Sequence, residues 1–247
     1  MVGSIILAAT TAGAATLTNF NAAGIGNGGS INLTSAGTVG WAAWDIGDGV
    51  TNGNTSYAAN FTKAGSTVTY SSITRATGTG NLRGPGADNS SQVYSWTTSD
   101  STSNLANPSD NRLSGIFSTS LNSAGSGVQF SISNLAALTG GQSYLVTLYG
   151  YSYGAQSRAT ATAGSSQANQ LSLNTTSTVR SPELYQFVYN PDSAADSLVL
   201  SYVLATTGDG SSHAGIQAVS ISIIPEASSA AMVLAGATAL LVRRKRR

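Results

Sequence analysis

Val128-Gln129-Phe130-Ser131-Ile132 alternates apolar and polar side chains without a break. That is the pattern of a strand with one face in a core and the other in water. Residues 144–151, 198–204 and 219–223 read the same way. Weaker alternations lie at 16–20, 30–34, 39–44, 56–61, 67–71, 92–97, 113–117, 158–163, 170–174 and 185–189. Clusters of Gly, Asn, Asp and Ser punctuate them, at 24–30, 47–54, 78–91, 139–141 and 208–210. No interval between the two chain ends carries the helical apolar stripe. So many short strands predict an all-β fold, two antiparallel sheets packed as a β-sandwich. A loop-rich first half followed by closely spaced strands from Val128 onward predicts a jelly-roll-like order. Residues 78–91 read as a long loop, because Gly84-Pro85-Gly86 fits neither a helix nor a central strand.

Composition agrees. Only 9% of the 247 residues are charged, against roughly a quarter in ordinary soluble proteins. Ser and Thr fill 66 positions, Asn 17 and Gly 28, so polarity comes from hydroxyls and amides. These residues suit turns and weaken helices. The 41% hydrophobic content is too high for a disordered chain. Through Ile224 there are six basic and nine acidic residues, a net charge of −3, which leaves no electrostatic footprint for nucleic acid. The absence of Cys excludes disulfides, thiolate metal sites and a cysteine nucleophile.

Both ends read as addresses. Residues 1–14 form a signal peptide, with a short apolar stretch at 2–9 and small residues Ala12-Gly13-Ala14 at the cleavage site. No Lys or Arg precedes that stretch, which places the true start codon upstream. At the other end, residues 225–247 read PEASSAAMVLAGATALLVRRKRR. Pro225 and Glu226 precede an uncharged segment, 227–242, and the basic run Arg243, Arg244, Lys245, Arg246 and Arg247 follows it. As a helix that segment spans about 24 Å, a short membrane crossing whose basic end stays cytoplasmic. The body, 15–224, then lies outside the membrane as one domain.

This three-part tail resembles the PEP-CTERM sorting signal of Gram-negative bacteria, with Pro225-Glu226-Ala227 in place of the usual Pro-Glu-Pro. The resemblance implies recognition by an exosortase, which removes the tail near Pro225. It also implies a membrane-anchored intermediate, then delivery to the cell surface or extracellular matrix, often beside exopolysaccharide. The tryptophan stretch described next also loosely resembles one found in such surface proteins, which implies shared scaffolding.

Trp41 and Trp44 stand in Val39-Gly40-Trp41-Ala42-Ala43-Trp44-Asp45. Residues three apart on a strand face opposite sides, so one ring can fill the core while the other stacks on a sugar beside Asp45. The other reading puts both rings in the core. Trp96 with Tyr94 admits the same two readings, and Tyr149 and Tyr151 share one strand face with Tyr144 on the other. The catalytic inventory is thin: one histidine, His213, with Asp209 four residues before it, no Gly-x-Ser-x-Gly elbow, and Glu183 as the sole Glu of the body. No catalytic residue, metal ligand or cofactor is assigned, although Asp45 and Asp48, or Asp209, could help hold a structural calcium. The expectation is a non-enzymatic exported protein associated with exopolysaccharide. The alternatives are a jelly-roll carbohydrate-active enzyme and a structural or adhesive protein that self-associates.

Overall fold

The computed structural model describes residues 14–25, 30–34, 37–44, 56–77, 82–83, 94–97, 112–113, 116–121, 123–173 and 181–225. These residues form strands and turns with no helix, and so contain no helix long and apolar enough to cross a membrane. The signal-peptide stretch up to residue 13 and the tail from Glu226 onward, with the expected membrane helix, lie outside the described residues.

The first half supplies short strands: β1 (Thr16–Gly24), β2 (Ser30–Asn32), β3 (Thr38–Ala43), β4 (Ser56–Tyr57), β5 (Phe61–Thr62), β6 (Thr69–Tyr70), β7 (Ile73–Arg75), β8 (Leu82–Arg83), β9 (Tyr94–Thr97) and β10 (Arg112–Leu113). The second half supplies the long ones: β11 (Ile116–Leu121), β12 (Gly127–Ser133), β13 (Ser143–Tyr153), β14 (Ser157–Ala163), β15 (Ser166–Leu171), β16 (Ser181–Asn190), β17 (Leu198–Leu204) and β18 (Ser212–Ile224). The first sheet runs β1-β16-β13-β18-β11-β8, with β3 beside the later stretch of β18 on the same edge as β11, and β5 beyond it. The second runs β15-β14-β17-β12-β7-β4, with β6 also on β12. Every pair in these two sheets is antiparallel. A small third sheet orders β10-β9-β2.

The last eight strands pair as a nested ribbon: β14 with β15, β13 with β16, β12 with β17, and β11 with β18. Successive layers of that ribbon alternate between the two sheets. The inner hairpin closes on Gly164-Ser165, where Gly164 takes a φ of 56°. A two-residue loop with positive φ at its first position matches the right-handed strand twist, and glycine takes that φ without a Cβ clash.

Alternation decides what the ribbon buries. Val128, Phe130 and Ile132 of β12 and Leu198, Leu200, Tyr202 and Leu204 of β17 face Tyr144, Val146, Leu148, Tyr185, Phe187 and Tyr189 of the first sheet. Ala159, Ala161 and Ala163 of β14 share this core, small side chains that leave space for the large rings. Across β18, a register shift leaves Gln217 as the extra residue of a bulge opposite Tyr149 and Gly150. Ile216 and Val219 therefore both point into the core, while Ala218 joins a second apolar cluster.

That second cluster lies on the outer face of the first sheet. Leu184, Tyr149, Ala218, Ala43 and Phe61 are successive cross-strand partners on β16, β13, β18, β3 and β5. Directly paired residues share a face, so they form one apolar row, and Ile31 and Leu33 pack over it.

Several strand limits differ from the alternation pattern. Residues 56–61 divide into β4 and β5, the final strand begins at Ser212 instead of Val219, and β15 begins four residues before 170. The stretch Ser212–Ala218 is buried on both faces, so no alternation marks it. The expected loop at 78–91 contains β8, which pairs at the sheet edge.

Candidate functional site

The tryptophans come first, because the sequence offered them as sugar contacts. Trp41 on β3 and Trp44 just after it do face opposite sides, yet both are 0% exposed. Trp44 enters the core between the sheets, meets Phe130 edge-on at 5.0 Å, and donates its indole N–H to the Tyr57 carbonyl at 3.3 Å. Trp41 enters the second cluster beneath Ile31, Leu33 and Phe61. The reading that puts both rings in the core holds, and sugar stacking on either ring is corrected, because the sheet face that would be wet is covered. Asp45 and Asp48 lie outside the described residues, as do the side chains of Trp96 and Tyr94 on β9. Tyr144 and Tyr149 fall in opposite clusters, as the alternation requires.

The candidate catalytic groups are committed elsewhere. His213 stacks on Tyr153 at 5.5 Å, while Asp209 accepts the Ser211 N–H at 2.9 Å and the Ser212 hydroxyl at 3.0 Å. Those hydrogen bonds lower the Asp209 pKa. Asp196 accepts the N–H groups of Ser193 and Asp192 and is lowered for the same reason. The described residues contain no cluster of three His, Asp or Glu suited to a metal ion.

Glu183 is the one described carboxylate inside the core, 1% exposed. Its carboxylate accepts the Tyr185 hydroxyl, and that hydroxyl lies 3.0 Å from the Tyr202 hydroxyl. Tyr202 needs Gly150 opposite, since a Cβ there would lie 3.3 Å from its ring. Burial, with the charge of Glu183 and the neighbouring phenol, pushes the Tyr185 pKa well above its ordinary value of 10.0, and burial does the same for Tyr202. A polar network of this kind pins one packing of the core, because every unmade bond there is costly.

A shallow cleft of about 360 Å³ lies beside β5 and β6, lined by Thr62, Lys63, Ser66, Val68, Thr69 and Tyr70 among others. The Tyr70 hydroxyl sits against Gly40, where a Cβ would come within 2.7 Å, and burial raises its pKa.

The outer face of the second sheet is different in kind. Ser56, Thr74, Gln129, Ser201, Thr160 and Asn169 are successive partners on β4, β7, β12, β17, β14 and β15. They form one transverse row of neutral hydrogen-bonding side chains across six strands, spanning about 24 Å. The next row holds Ser131, Val199, Thr162 and Gln167. On β14 and β15 the side chains bond to one another. The Thr160 hydroxyl donates to the Asn169 side-chain Oδ1 at 2.7 Å, the Asn169 amide to Gln167 at 3.4 Å, and the Gln167 amide to Thr162 at 3.5 Å. At the far end Thr69 and Ser133 hydroxyls meet at 2.7 Å. Neither row carries a charge, and Arg158 stands one row beyond. The sequence reading named these strands for their apolar halves and passed over the polar ones. Only strand register shows that the neutral residues fall into line.

No family model matches the chain, and no curated protein does. Among solved structures, the carbohydrate-binding module TmCBM61, in complex with beta-1,4-galactotriose, aligns over 64% of this chain and 88% of its own. The identity is 12% and the TM-score 0.33.

Two outcomes follow from the buried rings. Replacing Trp44 by Ala empties a fully enclosed site, so denaturant unfolding should show a loss of roughly 3–5 kcal/mol. A loss under about 1 kcal/mol would place the ring at the surface. In alkali, a tyrosine whose folded pKa is raised stabilises the fold fully below about pH 10 and loses that contribution as pH climbs toward the folded value. Tyr189 is pushed up to about 12, by burial first and then by Asp196 and Tyr144. Tyr70, Tyr185 and Tyr202 move in the same direction. Phenolate absorbance should therefore rise in two phases, the second coincident with loss of the β-sheet circular-dichroism signal. One smooth phase with the fold intact would contradict the buried assignments.

Proposed function

We propose that the chain is a non-enzymatic bacterial surface or extracellular-matrix protein, exported through its N-terminal segment and sorted by an exosortase acting on its tail. One observation carries the reading. The last strand of the sandwich ends at Ile224, and the tail motif begins at the next residue, Pro225, which is exposed. Pro225-Glu226, the apolar segment 227–242 and the basic run 243–247 follow in the order that such sorting uses. Cleavage near Pro225 then removes none of the described strands, and the described sandwich leaves the membrane whole. Until cleavage, residues 227–242 hold an inner-membrane intermediate with Arg243, Arg244, Lys245, Arg246 and Arg247 on the cytoplasmic side.

The nested pairing of the last eight strands supports reading the sandwich as a jelly roll. Its neutral, hydroxyl-rich exterior supports association with exopolysaccharide, because hydroxyl and amide groups both donate to and accept from sugar hydroxyls. A second reading, self-association within the matrix, is favoured by one local feature. Phe20, Leu171 and Leu173 are 60%, 52% and 57% exposed, on or just after β1 and β15. The two strands lie side by side, Asn19 donating to the Asn169 carbonyl at 2.7 Å.

The sorting reading is tested by expressing the full chain in a host with an exosortase and sequencing the C-terminus of the surface form by mass spectrometry. The surface form should end near Pro225, and Pro225→Ala with Glu226→Ala should leave uncleaved chain in the inner membrane. Surface material that still carries Arg243 to Arg247 would overturn the sorting. For the second reading, sedimentation of the cleaved body should show concentration-dependent assembly that Phe20→Ser with Leu171→Ser abolishes. A monomer at all concentrations would exclude it.

A further inference from the structure

We propose that the outer face of the second sheet is a binding surface for an extended, uncharged polysaccharide, laid across the strands along the row from Ser56 to Asn169. This rests on, and sharpens, the matrix reading above.

The first reason is what the face lacks. The two central rows here hold Ser56, Thr74, Gln129, Ser201, Thr160, Asn169, Ser131, Val199, Thr162 and Gln167, with no charge among them. A nucleic acid or an acidic polymer needs cations to neutralise it, and these rows offer none. A protein partner needs an apolar or aromatic centre to its interface, and Val199, 36% exposed, is the sole apolar side chain in the rows. A neutral polyhydroxylated chain matches what is present.

Arrangement is the second reason. Strands are about 4.8 Å apart and same-face residues about 7 Å apart along each strand. The first row thus places a hydroxyl or amide on each of its six strands, with Thr160, 8% exposed, reaching the surface through the Asn169 amide it bonds, while Val199 interrupts the second row. An extended polymer crossing the strands meets a new hydroxyl or amide at every step. The directional chain from Thr160 through Asn169 and Gln167 to Thr162 holds these side chains in place before binding, which lowers the ordering cost of recognition. It also ends on a hydroxyl, leaving the Thr162 proton to be donated outward.

Coverage elsewhere is the third reason. The matching row on the first sheet is apolar and lies under Ile31 and Leu33, so the two outer faces are not equivalent.

The experiment is a pull-down of the full chain, in its surface form if processed, on cellulose, mannan, galactan, the host's exopolysaccharide and anionic alginate. We expect retention on at least one uncharged polymer, unchanged at about 1 M salt, where exposed charges are screened within about 3 Å. Gln129→Ala with Ser201→Ala should weaken it roughly tenfold. Thr162→Glu, which places an unpaired charge in the lattice, should abolish it. Thr18→Ala with Thr207→Ala, exposed hydroxyls away from the rows, should have no effect, and thermal melting confirms that each variant folds. Retention that survives both face variants overturns the proposed surface while leaving the matrix reading intact. Retention by no uncharged polymer, or by alginate alone with steep salt dependence, overturns both.

Discussion

Burial of both faces of the first sheet around β3 is the constraint on which the rest depends. Trp44 is driven inward against Phe130 and Trp41 outward beneath Ile31, Leu33 and Phe61. Two indoles three residues apart on one strand would ordinarily leave one ring wet. Here the bulge at Gln217 turns Ala218 to the outer side, where it pairs with Tyr149 and Ala43 and continues the apolar row. That row must be covered, and Ile31 and Leu33, before β3, cover it. The second sheet carries two neutral rows on its exterior, broken by Val199 and flanked by a row that holds Arg158, Val203 and Leu171.

Much of the fold was legible because alternation is a local property. Val128 to Ile132 and Leu198 to Leu204 gave β12 and β17 almost to the residue, with their apolar members in the core. What stayed illegible depends on partners distant in sequence. Ser212 to Ala218 reads Ser-His-Ala-Gly-Ile-Gln-Ala, mostly small residues with no alternation, and its strand character comes from pairing with β13 and β11. Burial of both tryptophans was legible as one of two readings, but the choice between them was not, since the outer face that holds Trp41 is covered by Ile31 and Leu33, which sit on a different segment. The polar row was hidden most completely. Thr74, Gln129, Ser201 and Thr160 lie far apart in the chain and become neighbours only through register.

Charge poverty links these levels. With hydroxyls and amides in place of ions, turns, strand exteriors and the exposed lattice are all built from the same residue types. One buried carboxylate, Glu183, is tied to Tyr185 and through it to Tyr202, in an interior whose other buried polar side chains are neutral hydroxyls and amides. The described exposed carboxylates Asp196 and Asp209 fix turns. In the proposed role this economy suits a protein that must leave a membrane, persist among neutral polymers and avoid nonspecific electrostatic contacts.

The central claim is that the tryptophans build the sandwich while the serine, threonine and amide rows meet the matrix. Emission from Trp41 and Trp44 in a Trp96→Phe chain tests it most directly, recorded with acrylamide quenching as an uncharged polysaccharide that retains the protein is added. We expect blue-shifted, quencher-resistant emission that saturating polymer leaves unchanged. Red-shifted emission, open to quencher and shielded by the polymer, would contradict the claim and return the sugar site to Trp41 and Trp44.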